Sequence, residues 1–253
     1  MATKPKNIVH VDVSTQKAPT PKSSLVIVRP HVMRAMEIIA SRETTRYYLN
    51  GILIEPHKDG GIVLVATDGS IMVTLHDSQG YAEGPSQIWK YRDFALIIKT
   101  KVAAASKSNR ENANLRYEQQ GNAFKVALGF DSAPALQAMA FGDLAYIGDQ
   151  AAIDGTFPQY QRVIARLGAK RTGASFNATV LGQISKFAQE LTGNKHARVR
   201  FDLLEEKGPS AFRVELPSEG LDAIGTIMPV TMKDDPGMSS YPAWLSTHTN
   251  GAV

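Results

Sequence analysis

The side chains that most often perform catalysis or bind metals are scattered along this chain. Cysteine is absent from its 253 residues, which excludes disulfides, thiolate chemistry and cysteine-ligated metals. The histidines form no i,i+4 pair and no HExxH motif, and neither a P-loop nor a GxGxxG motif is present. The six histidines are His10, His31, His57, His76, His196 and His248. The sequence therefore predicts no metal site and no cofactor.

Carboxylates give no better basis for catalysis. The pair that an acid–base mechanism would need is Asp68 with Glu55. Asp68 precedes Gly69, and because Asp-Gly is a common turn dipeptide, a structural role explains this aspartate better. No Ser-His-Asp arrangement can be argued from spacing alone. We therefore predict that the protein is not an enzyme.

The composition is that of an ordinary globular protein with a mild excess of positive charge. Hydrophobic residues make up 43% of the chain and charged residues 21%, and the net charge is +4 at pH 7. Basicity of this size permits a polyanionic partner but does not require one. Residues 1–24 lack the apolar core of a signal peptide, and no later run approaches the ~20 apolar residues of a membrane span. We expect a cytoplasmic protein with no membrane association.

Most of the chain repeats one pattern three times: a strand, an amphipathic helix and then further strands. We call each copy a unit; the units begin at about residues 25, 86 and 173, and their helices are predicted at 30–41, 91–105 and 178–191. Antiparallel strands with one helix per unit predict an α+β fold, with helices on one face of the sheets. The predicted divisions are a flexible N-terminal arm over 1–24, a domain over 25–160, a partial domain over 161–232 and a mobile C-terminal tail over 233–253.

Two predictions in the second unit rest on apolar pattern alone. Its helix is predicted to carry an apolar stripe of Phe94, Ile97, Ile98, Val102 and Ala105, which recur at helical spacing and should face the core. The apolar segment Leu136–Phe141 is predicted as one of its strands.

Three motifs follow one another along the chain. The first is a hairpin, Arg46-Tyr47-Tyr48-Leu49-Asn50-Gly51 followed by Val65-Ala66-Thr67-Asp68-Gly69; the second is IDGTFPQYQRV from Ile153 to Val163; the third is Ile227-Met228-Pro229-Val230. In this order they resemble the bacterial β sliding clamp family, the DNA polymerase III beta subunit, which holds a replicative polymerase on its template. The first two are similar to the family's middle domain, and the third to the strand that closes its last domain. The resemblance implies the DNA-clamp fold of repeated β-α-β-β-β units in a DNA replication protein of bacterial or phage origin.

The resemblance also implies a pocket in which polymerases, the clamp loader and repair proteins dock a short hydrophobic peptide. The residues at the corresponding positions are Leu49, Thr67, Gly69, Met72, Pro158, Arg162, Val163, Met228, Pro229 and Val230. Small groups beside leucine, methionine and valine suit a shallow apolar groove. Without the resemblance, Leu49, Val163 and Met228 are better explained as core residues.

A second implied surface is the side of the helices that faces double-stranded DNA. The residues assigned to it are Arg34, Arg42, Arg46, Tyr47, Tyr48, Lys90, Arg92, Lys99, Lys101, Lys107 and Lys186. Lysines spread along helices meet phosphates without reading bases, which suits non-specific binding. A solvated helix face explains the same lysines.

Length separates this chain from the family pattern. A family chain carries six units and two chains close a ring, whereas three units are found here, so a ring of twelve units needs a homo-oligomer of four chains. We expect a sliding-clamp-like processivity or tethering protein that binds DNA and docks partner peptides. The alternative is a clamp-like interaction module that binds or competes for clamp partners without encircling DNA.

Overall fold

A computed structural model describes residues 24–120, 123–151, 153, 155–162, 176–202, 209–216, 220–228 and 230. The strands are β1 (Leu25–Val28), β2 (Ile52–Pro56), β3 (Ile62–Thr67), β4 (Ile71–Asp77), β5 (Tyr81–Glu83), β6 (Gln87–Trp89), β7 (Asn114–Gln120), β8 (Ala123–Gly129), β9 (Ala145–Ala151), β10 (Val199–Asp202), β11 (Ser210–Val214) and β12 (Leu221–Ile227). The α-helices are α1 (Pro30–Ile39), α2 (Ala95–Ala104), α3 (Lys107–Glu111), α4 (Ala133–Ala138) and α5 (Ala178–Thr192). Short 3₁₀ turns occupy Tyr47–Leu49, Arg92–Phe94, Phe141–Asp143 and Tyr160–Arg162.

Two antiparallel sheets organise the described residues. Five strands pair in the order β5-β1-β7-β8-β9, and seven pair in the order β10-β11-β12-β4-β3-β2-β6. The first two units exchange their opening strands, because β1 pairs with β7 of the second unit and β6 pairs with β2 of the first. The predicted α+β class, with antiparallel sheets and helices in repeated units, is confirmed.

Helix α1 shows why the first unit folds as its pattern predicts. Pro30 occupies the first turn, where its missing N–H costs nothing. Met33, Met36 and Ile39 recur at helical spacing and are fully buried. This apolar face packs over β2, β3 and β4, and α1 also packs against α5.

The third unit joins the first along β4. Strands β12 and β4 pair over seven residues each, from Leu221 opposite Asp77 to Ile227 opposite Ile71. Gly225 of β12 is required by a close approach, because a Cβ there would lie 2.0 Å from Cζ of Phe212 on β11. The pairing makes β4 an interior strand, with β3 on its other side.

A buried ion pair ties the end of β1 to the end of β4. The Arg29 guanidinium donates to both carboxylate oxygens of Asp77, with Nη2–Oδ1 at 2.6 Å and Nε–Oδ2 at 3.1 Å. The Asp77 side chain is fully buried, and its Oδ1 also accepts from the Gln79 backbone N–H. These hydrogen bonds satisfy a charge that would otherwise be costly to bury.

Two sequence predictions are wrong. Residues predicted as the strand Leu136–Phe141 instead form the end of α4 and a 3₁₀ turn. Pro134 at the start of α4 favours a helix there, and an apolar run of this length does not by itself distinguish strand from helix. Helical spacing predicts that Ile97 is buried with Phe94 and Ile98, yet 43% of Ile97 is exposed.

Several predictions fall outside the described residues. They include residues 1–23 of the predicted arm over 1–24, most of the third unit's predicted first strand and the tail over 233–253. The division into domains over 25–160 and 161–232 stays a prediction.

Replacing Arg29 by alanine is expected to lower the free energy of unfolding by about 3–5 kcal/mol, because the buried Asp77 carboxylate loses its counter-charge. Urea unfolding measures this loss. Arg213→Ala is the control: its pair with Asp222 is exposed on both sides, so removing it should cost about 0–1 kcal/mol. An equal decrease in the free energy of unfolding in the two variants would show that the buried Arg29–Asp77 pair stabilises the fold no more than an exposed pair does.

Candidate functional site

A cavity of about 230 Å³ opens where the β3–β4 turn meets the end of β12. Most of its walls are apolar. Its lining residues are Arg46, Tyr48, Leu49, Thr67, Gly69, Ser70, Ile71, Met72, Phe157, Pro158, Tyr160, Thr226 and Met228. We call this cavity the pocket.

The β3–β4 turn forms one wall and is fixed by its own hydrogen bonds. Oγ1 of Thr67 donates to the Ile71 carbonyl at 2.7 Å and accepts from the Gly69 N–H at 3.0 Å. The Asp68 carboxylate accepts from the backbone N–H groups of Ser70 and Ile71 at 2.8 and 3.0 Å. Gly69 has φ +96°, a conformation that favours glycine. Asp68 therefore shapes the turn, as its dipeptide predicts.

The Phe157-Pro158 corner and the residues below it form the second wall. Phe157, Leu49 and Met72 belong to a small apolar cluster beneath the pocket. Tyr160 closes the corner, since its hydroxyl donates to Oε2 of Glu55 at 2.5 Å. Burial, followed by this contact with the Glu55 carboxylate, raises the pKa of Tyr160, so the hydroxyl stays protonated at neutral pH.

The third wall comes from the distant end of the chain. Thr226 lies opposite Met72 in the β12–β4 ladder. The Met228 N–H then donates to the Ser70 carbonyl at 3.2 Å, which holds Met228 beside the turn. Met228 is 48% exposed, so an apolar side chain stands at the pocket edge with room for a partner.

Arg46 forms a charged rim. Its guanidinium makes two hydrogen bonds of 2.7 Å with the exposed Glu43 carboxylate and reaches the Asp68 carbonyl at 3.4 Å. A Cβ on Gly69 would lie 2.5 Å from Nη1 of Arg46, so the glycine lets the guanidinium pack on the turn. The pocket is thus an apolar groove with one cation at its mouth.

The structure gathers part of the pocket that the sequence predicts. The predicted residues that line it are Leu49, Thr67, Gly69, Met72, Pro158 and Met228. Arg162 and Val230 are exposed and do not line the cavity. Val163 and Pro229 lie outside the described residues.

Several residues that line the pocket are not among the pocket residues that the sequence predicts. The resemblance assigns Arg46 and Tyr48 to DNA, yet both line the pocket. Phe157 and Tyr160 stand inside the Phe-Pro-x-Tyr corner and are not among the predicted site residues. The motif itself points to this corner, but the sequence does not show which of its side chains face the pocket, because that depends on how the corner packs.

Basic side chains line two hollows between neighbouring helices. Between α1 and α5 lies a hollow of about 750 Å³, whose charged lining residues are Arg29, Arg34, Lys186, Glu190 and Lys195. Between α1 and α2 lies one of about 360 Å³, to which Arg34, Lys99, Arg110 and Glu111 contribute. Cations predominate in both hollows, which makes the helix surface electropositive there.

The predicted DNA-contacting cations divide into two groups. Arg34 pairs with Glu190, Arg46 with Glu43, Lys90 with Asp93 and Arg92 with Glu37. Within the described part of the chain, the other members form no ion pair and are exposed: Arg42, Lys99, Lys101, Lys107 and Lys186. Tyr47 is 53% exposed and meets Tyr48 edge-on, with ring centroids 5.9 Å apart. The unpaired group is the better candidate for phosphate contacts.

His31, in the hollows on both sides of α1, is held neutral. Burial, and then the charge of Arg29, lower its pKa to about 4; Arg34 acts in the same direction and Asp77 in the opposite one. A neutral imidazole adds no charge to this surface at physiological pH.

Among the described residues, no group of three or more His, Asp or Glu side chains is placed to hold a metal ion. None of the described helices is both long enough and apolar enough to span a membrane.

Part of the chain is similar in sequence to a known protein. The chain is 31% identical over 133 residues to the beta sliding clamp of Caulobacter vibrioides. By this match the chain is similar to the bacterial β sliding clamps. The match covers 51% of the chain and 30% of the Caulobacter protein, so it spans about a third of that relative's length. No protein-family model matches the chain.

Solved structures show that this chain has the DNA sliding clamp fold. The Helicobacter pylori beta clamp in complex with diflunisal matches with a TM-score of 0.55 and 14% identity, over 90% of this chain and 69% of that one. A Pseudomonas aeruginosa DNA polymerase sliding clamp matches at 0.52 and 16%, over 83% and 67%. The Bartonella birtlesii sliding clamp bound to griselimycin matches at 0.50 and 16%, over 87% and 70%.

Acid should destabilise the protein partly through His31. The His31 imidazole has a pKa near 6.5 in the unfolded chain and about 4 in the folded protein. As the pH falls from 6.5 to 4, protonation of the imidazole therefore favours the unfolded chain. His31→Gln should therefore lose less stability than the parent between pH 6.5 and pH 4, as measured by urea unfolding at several pH values. His196→Gln, an exposed histidine, is the control and should follow the parent. Parallel curves for His31→Gln and the parent would contradict the assignment.

Proposed function

We propose that this clamp relative is a non-enzymatic tether that holds partner proteins on DNA. Its pocket takes a short apolar peptide from a polymerase, a clamp loader or a repair protein, and its helices contact double-stranded DNA without sequence preference. The observation that supports this most directly is the pocket, in which the β3–β4 turn, the Tyr160 corner and Met228 surround one apolar cavity. Work of this kind belongs in the cytoplasm of a bacterium, on chromosomal or phage DNA.

The size and chemistry of the pocket favour a peptide anchor. A volume of about 230 Å³ is smaller than the ~300–1,000 Å³ typical of drug-sized ligands, so it suits one or two apolar side chains. Each fully buried Leu or Phe anchor contributes roughly 1.5–3 kcal/mol, and two or three anchors reach about micromolar affinity. Arg46 at the rim adds a place for a carboxylate or carbonyl of the same peptide.

The helix surface favours DNA through its unpaired cations. Lys99, Lys101 and Lys107 lie on α2 and α3, and Lys186 lies on α5. Long, flexible lysines meet phosphates without fixing on base edges, which permits movement along a duplex. We assign residues 25–160 to one clamp domain of two units and residues 161–232 to part of a second.

Griselimycin, which the Bartonella birtlesii clamp binds, offers a direct test of the pocket. We expect the parent protein to bind it in isothermal titration calorimetry. Met228→Lys should weaken binding about tenfold or more, since it replaces an apolar contact at the pocket edge by a charge. Met228 is half exposed, so the variant should fold.

Leu96→Lys is the matched control, because Leu96 is 76% exposed on α2 and does not line the pocket. It should bind griselimycin as the parent does. Equal affinity of parent and Met228→Lys, or absence of binding by the folded parent, would count against the pocket.

DNA binding is tested by its dependence on salt. The variant Lys99→Ala/Lys101→Ala/Lys107→Ala should bind duplex DNA more weakly, and the slope of log affinity against log salt should fall by about 0.9 for each phosphate that the variant no longer neutralises. Fluorescence anisotropy with duplexes of two unrelated sequences gives both the slope and the lack of sequence preference.

Lys58→Ala is the charge control, since Lys58 lies in the β2–β3 turn and on no helix. Its slope should equal that of the parent. A parent that binds griselimycin but no duplex at low salt would favour the alternative function, an interaction module that competes for clamp partners without encircling DNA.

A further inference from the structure

The chain runs along the pocket just before it leaves the described residues. Thr226 lines the cavity, and the Met228 N–H donates to the Ser70 carbonyl at 3.2 Å beside it. Val230, two residues later, is 45% exposed, as Met228 is 48% exposed. The chain therefore leaves the pocket at the protein surface, and the residues that follow Val230 start close to the pocket mouth.

The tail over 233–253 follows at once and lies outside the described residues. Among its mostly small and polar residues, Trp244-Leu245 is the one place where two large apolar side chains are adjacent. An extended chain spans up to about 3.3–3.6 Å per residue. The stretch between Val230 and Trp244 is therefore longer than a return to the cavity beside Met228 requires.

The chemistry of the tail complements that of the pocket. The cavity of about 230 Å³ has mostly apolar walls and suits one or two apolar side chains, which is what Trp244-Leu245 offers. Arg46 stands at the mouth, and the tail carries the acidic pair Asp234-Asp235 ahead of its apolar pair. Because exposed ion pairs contribute little affinity, the aspartates would orient the tail while the apolar pair supplies most of the binding.

We propose that the tail occupies the pocket of its own chain, with Trp244-Leu245 as the apolar anchor, and that a partner peptide must displace it. This inference rests on the proposed function, since it concerns regulation of the same pocket. The apparent affinity of a partner falls in proportion to the fraction of pockets that are open. The tail thus selects for partners whose peptides bind more tightly than the tail does.

Covalent connection favours the chain's own tail over the tail of another copy. A segment joined to its site by a short linker meets that site at about millimolar effective concentration. Another copy of the chain, at tens of micromolar in solution, supplies its tail at a concentration roughly a hundredfold lower. Intramolecular binding is therefore the occupancy that we expect.

The two tryptophans of the chain allow the contact to be observed directly. Trp89 is fully buried in the core, so iodide should quench only Trp244. In the parent, Trp244 should be shielded from iodide, and griselimycin should increase its quenching by displacing the tail from the pocket. Trp244→Ser, which retains only Trp89, should show neither effect. Quenching of the parent that is the same with and without griselimycin overturns the proposal.

Dilution distinguishes the two possible sources of the tail. Shielding of Trp244 by the chain's own tail should stay constant over a fiftyfold dilution, because the effective concentration does not depend on protein concentration. Shielding that is lost on dilution would show that another copy supplies the tail, which overturns the intramolecular contact.

Affinity for griselimycin tests whether the tail competes with a ligand of the pocket. In isothermal titration calorimetry, the full chain with Trp244→Ser/Leu245→Ser should bind griselimycin about threefold or more tightly than the parent. Thr249→Ala, a change in the same tail outside the apolar pair, should bind as the parent does. Unchanged emission of buried Trp89 shows that the variants are folded.

The possible failures are distinguishable. If the parent and the double variant bind griselimycin equally, the tail does not occupy the pocket, and the proposed peptide-docking function still stands. If neither binds, the pocket itself is wrong, and the docking function and this inference fail together.

Discussion

The structure depends most on β4, a strand that is paired on both sides. Its ladder with β3 closes the first unit, and its ladder with β12 attaches the third unit at seven positions. The same pairing places α5 against α1 and brings Met228 to the turn between β3 and β4. Because ladders of this length fix register, a slip by one residue would turn Thr226 and Met228 away from the pocket. The register of the β4–β12 pairing therefore also fixes the geometry of the pocket.

Charge is distributed so that buried and exposed cations have different roles. Arg29 serves the fold, since its partner Asp77 is fully buried at the end of β4. Arg34, Arg46, Lys90 and Arg92 are paired with carboxylates, which reduces the charge available to a polyanion. Lys99, Lys101, Lys107 and Lys186 on α2, α3 and α5 form no ion pair among the described residues, so their charge stays available to a polyanion. A net charge of only +4 thus coexists with a helix surface that is positive locally.

The sequence predicts a helix, strand or turn correctly here when regularly spaced apolar residues or a turn residue define it. Met33, Met36 and Ile39 define the buried face of α1, and Asp68-Gly69 defines the β3–β4 turn, because both signals are local. The strand prediction after Ser132 is wrong, since Leu136 and its apolar neighbours fit either a strand or a helix. The prediction for Ile97 is wrong for a different reason. Its helical position suits a core, and only the arrangement of the neighbouring units decides whether anything covers it.

The sequence by itself determined the α+β units, the turn chemistry, the absence of cysteine and the motifs that relate the chain to the β sliding clamps. Tertiary structure decided which of those residues meet. Leu49, Thr67 and Met228 are separated by up to 179 positions in sequence, yet they line one cavity because β12 pairs with β4. It also places Arg46 and Tyr48, which the resemblance assigns to DNA, at the pocket. The spacing of apolar residues predicts whether a segment is a strand or a helix. Which strands pair with each other depends on contacts between residues far apart in sequence, and therefore on the whole core.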